Sequence, residues 1–523
     1  MASITKQRIG KYTYLYESTS FRDEQGRPRN KKVKIGKIDP YTDETIYTPE
    51  YAVKHGIGQT KPSEKPPVVG NIKEILDNVK DYGVFWFLMQ IAEKIGLLKI
   101  LQVAFPSIWK EIFTLACYLV ASDKPVMYCE DWLSENEWLD VGSMSSQRVS
   151  DLLCAFGEAD RNDFYRAWYQ LIKEREYIAL DITSVSSYSK KRDDCEFGYN
   201  RDGEDLPQTN LCLLFGEQSK LPIYQTVYSG SLGDVSTLEC TTAKFQAMFG
   251  VNDAVFIMDK GFYSKTNVDM LLDKGVKFLV SVPFTNGYAR KLIESERKDI
   301  DSLENVIITS SDPIRGVHRD FVWGKHVLHT HMFFNPEKAL KDRNELFTLI
   351  TKLKNTVISG VDYKQYKDDI ERYLIVKKSE DVCNIIVRDD VVARTLETSG
   401  WFVLISNHID TPQLAFDAYR MKDVVEKGFW KYKNNLGLDR LRVHSDERAD
   451  NKSFVAFIAL ILSSCIHTTM KDKQLYGRFT LDRLFLTLAK LKSVFVSGHH
   501  ILRPLTRQQK ELFDIFSLPL PVG

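Results

Sequence analysis

No two of the eight cysteines stand at Cys-x-x-Cys spacing, and the ten histidines fall into no zinc-ligand spacing along the chain. A disulfide scaffold and a zinc-ribbon module are thereby excluded, and the thiols read as reduced. His329-x-His331 reads as two same-face residues of a strand, and His499-His500 as a loop. An imbalance of charge is missing too. The 71 Lys plus Arg face 70 Asp plus Glu, for a net +1, which excludes a uniformly basic coat but not a local basic face. No apolar run reaches the roughly 20 residues of a membrane span. The longest, Phe454–Ile466, is expected to be a buried core helix. Met1–Gly10 is polar and basic, unlike a secretory signal, so a soluble cytoplasmic protein is expected, with no membrane partner.

What is present exceeds one core. Cores stop growing near about 250–300 residues, and 523 residues suggest several units. Residues 1–65 are β-rich and basic: KYTYLYES and KKVKIGKI flank a turn containing Gly26 and Pro28. Arg27, Arg29, Lys31, Lys32, Lys34 and Lys37 crowd this hairpin, as a solvated edge or as a phosphate contact. Residues 59–70 (QTKPSEKPPVVG) read as a linker. Residues 70–175 carry helical periodicity, with Ser145 or Ser146 as a cap. They fit a helical DNA-binding region or an inert bundle.

From 176 to 299 short apolar strands alternate with helices. LPIYQTVYSG pairs back on NLCLLFG across EQSK, and Gly250 and Gly275 stop two helices. Residues 300–398 interrupt this layer with strands and one charged helix. Trp401–Ser406 resumes it in a segment 399–475, and 476–523 reads as helical. Thr411 and Pro412 open a long helix, and Thr506-x-x-Gln509 forms a capping box.

Three acids stand out by position. Asp181 and Asp259 each end an apolar strand, where an unpaired carboxylate is costly unless paired, protonated or metal-bound. Glu426 lies on the helix after Pro412. At about 100° per residue, Lys422, Glu426 and Lys433 fall near 300°, 340° and 320° from Tyr419, on one stripe. Phe429 and Trp430 border it. Such a face suits a glutamate reaching a metal while lysines and a phenol grip phosphates. Two carboxylate strands and one carboxylate helix suit a pair of Mg²⁺ ions about 3.5–4 Å apart, Mn²⁺ substituting.

The spacing Tyr419-x2-Lys422-x3-Glu426-x6-Lys433 resembles the Tyr-Arg-Glu-Lys signature helix of bacterial insertion-sequence transposases of the DDE type. LDITSVSSY, GYNRDGEDLPQ, MDKGFYSKTN and LRVHSDERADNKSF carry the resemblance across roughly 177–470. One position departs. Lys422 stands where the family has arginine, with Arg420 two residues earlier, and lysine lacks the bidentate fork. The resemblance implies an α/β fold, with a ribonuclease-H-like mixed sheet flanked by helices and a β-rich insertion at 300–398. It implies Asp181, Asp259 and Glu426 as catalytic metal ligands, and Tyr419, Arg420, Lys422, Lys433 and Trp323 as DNA contacts. Trp323, the lone tryptophan of the insertion, would stack a flipped base, where the plainer alternative is a core aromatic. The implied partners are double-stranded terminal inverted repeats, target DNA and a second copy of the chain assembled on DNA. The rivals are a domesticated, inactive DNA binder and a nuclease without strand transfer.

Overall fold

The computed structural model describes residues 2–9, 12–38, 45–55, 79–172, 176–189, 192–201, 203–250, 253–285, 287–309, 314–359, 364–379, 382–436, 440, 443, 445–496 and 499–521. The expected linker at 59–70 lies outside them. The chain divides into two units, Met1–Asn78 with Phe495–His499, and Val79–Val494 with His500–Gly523.

In the first unit β1 (Ala2–Ile9), β2 (Tyr12–Arg22), β3 (Pro28–Ile38) and β4 (Thr45–Tyr47) form an antiparallel sheet in sequence order. The β2–β3 turn closes because Gly26 takes φ +73° and the Asp23 carboxylate accepts from Gln25 N, Arg27 N and Arg29 Nε. Leu15 and Ile35 are buried, while Arg29, Lys31, Lys32 and Lys34 are exposed.

The second unit opens with β5 (Val79–Asp81), which pairs antiparallel with β17 (Lys492–Val496) through Val79–Asp81 and Lys492–Val494. β17 and a further strand, His499–Leu502, interrupt the C-terminal segment expected to be helical, and His499 and His500, expected in a loop, open that strand. Helices between Gly83 and Ile172 follow β5, with Ser145 capping one of them through Arg148 N. They share a core with the helix Asp446–Asp472, whose Phe454–Leu462 are buried throughout. That helix is long and apolar enough to cross a membrane, but most of it is buried inside the protein, as a core helix is.

Nine strands form one mixed sheet. β6 (Tyr177–Ser186), β7 (Gln208–Gly216) and β8 (Pro222–Ser229) run antiparallel, while β9 (Val255–Met258) and β10 (Lys277–Ser281) extend it parallel to β6. β11 (Val306–Ile307), β12 (Ile314–Trp323) and β13 (His326–Phe334) are followed by the hairpin β14 (Leu374–Ser379) and β15 (Val382–Val387), then by β16 (Trp401–Ser406). The order is β11-β12-β13-β16-β10-β9-β6-β7-β8.

Two expectations change here. The segment 300–398 is not a separate interruption. Its β12 and β13 continue the main sheet by pairing onto β16, and only the part from Pro336 to about 398 stands outside the sheet order. The apolar sides of these strands supply the reason: Val317, Leu328 and Met332 join the main core. The long helix after Pro412 is three pieces. Pro412–Arg420 breaks at Met421, Lys422–Trp430 follows, and Lys431–Asn435 is a π-helical turn.

Candidate functional site

Asp181 lies within β6 rather than at its end, because β6 outruns its neighbour. The β6–β9 register ends at Ala179 opposite Ile257. Continued two residues, it sets Asp181 beside Asp259 on the same face, at the level where β9 has stopped. Asp259 opens the turn Lys260–Phe262 and accepts from Lys260 N at 2.6 Å, and Asp181 accepts from Ile182 N at 2.8 Å.

The third acid arrives on the helix Lys422–Trp430, which packs against β6 and β7. Gly428 permits this approach, since a Cβ there would lie 2.5 Å from the buried Phe215 ring. Lys422 Nζ sits 3.1 Å from Asp259 Oδ2 and 2.7 Å from Glu426 Oε1, so one ammonium joins both carboxylates. The Tyr419 hydroxyl donates to Asp259 Oδ1 at 3.3 Å.

The electrostatics follow. Burial, opposed by Lys422 and reinforced by Asp259, pushes the Asp181 carboxyl up to about 6. Burial also works against ionising Asp259, but the Lys422 charge and the Lys260 N–H prevail and hold its carboxyl below the usual range. Burial, with the nearby Asp259 charge, pushes the Tyr419 phenol up to about 12. The chemistry of Asp181 and Asp259 in one cleft fits a hard divalent cation, while Glu426 meets them through the Lys422 ammonium and does not close a three-carboxylate cluster among the described residues.

A cleft of about 1050 Å³ opens over Asp181 and Asp259. Arg201, Arg290, Arg372 and Arg394 line it, none of which the sequence reading singled out. Arg201 lay within GYNRDGEDLPQ, and Ser184 Oγ accepts from its backbone N–H. Arg372 and Arg394 reach the cleft only through the fold of the 336–398 segment, for which no motif speaks.

Of the predicted DNA contacts, Tyr419 and Lys422 meet the acids instead. Arg420 is exposed and lies over the Phe416 ring. Lys433 is on the π-helical turn, so a phase of 100° per residue does not carry through to it. Trp323 donates Nε1–H to Asp269 at 2.6 Å beside Phe321 and lines a separate groove with Tyr263, Lys265 and Tyr288. Arg192 is buried between Asp194 and Asp446.

An acid within β6, a second just past β9, a glutamate helix and arginines lining the cleft make a site whose charges suit an anionic, phosphate-bearing ligand. The family model described as "Transposase DDE domain" matches residues 173–462, more than half of the chain. The chain belongs to the transposase DDE domain family. Among solved structures it is similar to the piggyBac transposase synaptic complex with hairpin DNA, seen by cryo-EM. There the identity is 11%, the TM-score 0.34, and the match covers 72% of this chain and 69% of that one, too loose a likeness to carry an argument. No curated protein matches the sequence.

Proposed function

We propose that this chain is a cut-and-paste transposase of a bacterial insertion sequence, with Asp181, Asp259 and Glu426 as its catalytic acids. The observation that carries the reading is that Asp181 and Asp259 line one cleft, with Asp259 joined to Glu426 through Lys422. The strand order from β8 through β10, three antiparallel strands followed by two parallel ones, supports a ribonuclease-H-like core. The Tyr419, Lys422, Glu426 and Lys433 spacing supports the insertion-sequence branch.

Asp181, Asp259 and Glu426 would hold two Mg²⁺ ions, which when bound supply positive charge at the scissile phosphate. The protein's own residues do the rest. Lys422 keeps Asp259 ionised in the metal-free enzyme and fixes Glu426 toward the strands. Arg201, Arg290, Arg372 and Arg394 grip the phosphates of a strand laid in the cleft. The exposed lysines of β3 add contacts outside the site. Trp323, with its aromatic neighbours, offers a face for an unstacked base. The active form is a dimer assembled on paired DNA ends in the bacterial cytoplasm. The phosphodiester is hydrolysed at the terminal repeats, and the freed 3′-OH then attacks target DNA.

The test uses labelled duplexes carrying the DNA that flanks the gene. The expected result is Mg²⁺-dependent nicking at the repeat end, lost in Asp181→Ala, and joining of precleaved ends to target. Nicking unchanged in Asp181→Ala sinks the site assignment. Nicking without joining leaves a nuclease, and DNA binding without nicking leaves a domesticated binder.

A further inference from the structure

The histidines that show no ligand spacing along the chain converge through strand register. In the β12–β13 hairpin, His318 pairs with His331 and Asp320 with His329. Alternation puts all four side chains on one face. His318 Nε2 lies 3.0 Å from Asp320 Oδ1, His329 Nδ1 lies 2.9 Å from the same oxygen, and the two ring nitrogens are 3.3 Å apart. An ion held at about 2.0–2.1 Å by each of three atoms requires separations of about 2.9 Å for right angles and about 3.4 Å for tetrahedral ones. All three observed edges fall in that interval.

The surroundings agree. His331 is fully buried, donates Nε2–H to Ile409 O at 2.9 Å, and leaves Nδ1 without a hydrogen-bond partner. Its ring stacks on that of His318, with centroids 5.1 Å apart. His318 and His329 are half-buried and Asp320 is exposed, which leaves the outer side open to water ligands.

We infer that His318, Asp320 and His329 form a binding site for a zinc-class divalent ion, separate from the catalytic acids and clasping β12 to β13. Two imidazoles and a carboxylate select Zn²⁺, Co²⁺ or Ni²⁺ over Mg²⁺. The site is too far from Asp259 to share an ion with it. His329 pairs with Ser406, Ser406 with Leu279 and Leu279 with Ile257. Those three strand steps of about 4.8 Å make about 14 Å. An ion there fixes a hairpin whose outer neighbour, β11, covers only Ile314 and Arg315 of β12. The tip of that hairpin carries Trp323. The inference does not rest on the transposase reading.

The experiment uses untagged, chelator-stripped full-length protein in an Asp181→Ala, Glu426→Ala background, so that the other acids do not contribute. Co²⁺ is titrated with visible absorption as the readout, and Zn²⁺ by calorimetry. The expected result is one bound equivalent of each. His329→Ala and Asp320→Asn should weaken it beyond the roughly 10- to 100-fold that loss of an outer-shell partner costs. Zn²⁺ should raise the Tm of the background protein but not that of the variants. Asp320 is exposed, so Asp320→Asn keeps the test valid if His329→Ala fails to fold. No binding in the background protein, or binding unchanged in Asp320→Asn, overturns the inference.

Discussion

Replacing Asp181 by asparagine should make the metal-free protein more stable while destroying its activity. The fold holds this carboxyl up at about 6, from an ordinary 3.8, chiefly by burial. A difference of about two pKa units corresponds to about 3 kcal/mol against the ionised form. A carboxyl held above its ordinary value stabilises the fold when protonated. That contribution is complete below about pH 4 and is lost as the pH rises through about 6. At pH 8 the wild-type protein has lost it, whereas the amide of the variant is neutral at every pH. In chelator at pH 8, Asp181→Asn should therefore gain up to about 3 kcal/mol, a rise of a few degrees in Tm. At pH 4 the two proteins should melt together. Mg²⁺ should raise the wild-type Tm more than that of the variant, and cleavage by the variant should fall to background. Thermal melts at both pH values, with and without Mg²⁺, decide the matter. A variant that melts no higher than wild type at pH 8, or whose advantage is the same at pH 4, refutes the reasoning that burial strains this acid.

Lys422→Met removes the ammonium shared by Asp259 and Glu426. Both acids are partly exposed, so the loss should be about 1–2 kcal/mol in a chelator-stripped urea melt, largely restored by Mg²⁺. Gly428→Ala drives a methyl into the buried Phe215 ring and should cost about 1–3 kcal/mol. It should also reduce cleavage at least tenfold by shifting Glu426, with DNA affinity in a gel-shift assay unchanged. Arg192→Met strands Asp194 and Asp446 and should lower stability by about 3 kcal/mol, read as earlier urea unfolding. Alanine at Arg29, Lys31, Lys32 and Lys34 should flatten the plot of log affinity against log salt by about 0.9 for each phosphate these side chains neutralise, with nicking at saturating protein intact.

Much of this architecture was legible because local rules agreed. Gly250 and Gly275, both at positive φ, stop their helices. Ser145 caps its helix, and Thr506 with Gln509 forms the capping box. Apolar runs ending near Asp181 and Asp259 marked neighbouring strands, since both pack on the same buried layer. The rest depended on contacts that periodicity does not encode. A constant 100° step from Tyr419 to Lys433 assumed an unbroken helix, but the chain bends at Met421 and widens at Lys431. The 314–334 strands looked like a separate insertion because nothing local tells which sheet edge a strand will join. Arg290, Arg372 and Arg394 are scattered in sequence and meet only around the cleft. Arg192 is buried against Asp446, a partner far along the chain that no local pattern announces.

The hydrogen-bonded match of Val79–Asp81 with Lys492–Val494 has a consequence for biosynthesis. A ribosome must deliver Lys492–Val494 before β5, which earlier meets only Asn136 through an isolated bridge, gains its ladder partner. Closing so large a loop is slow, and the edge waits uncovered meanwhile. Messages cut short before residue 492 would thus yield products with that ribbon unzipped, and proteases would meet an unfinished protein rather than a smaller working one.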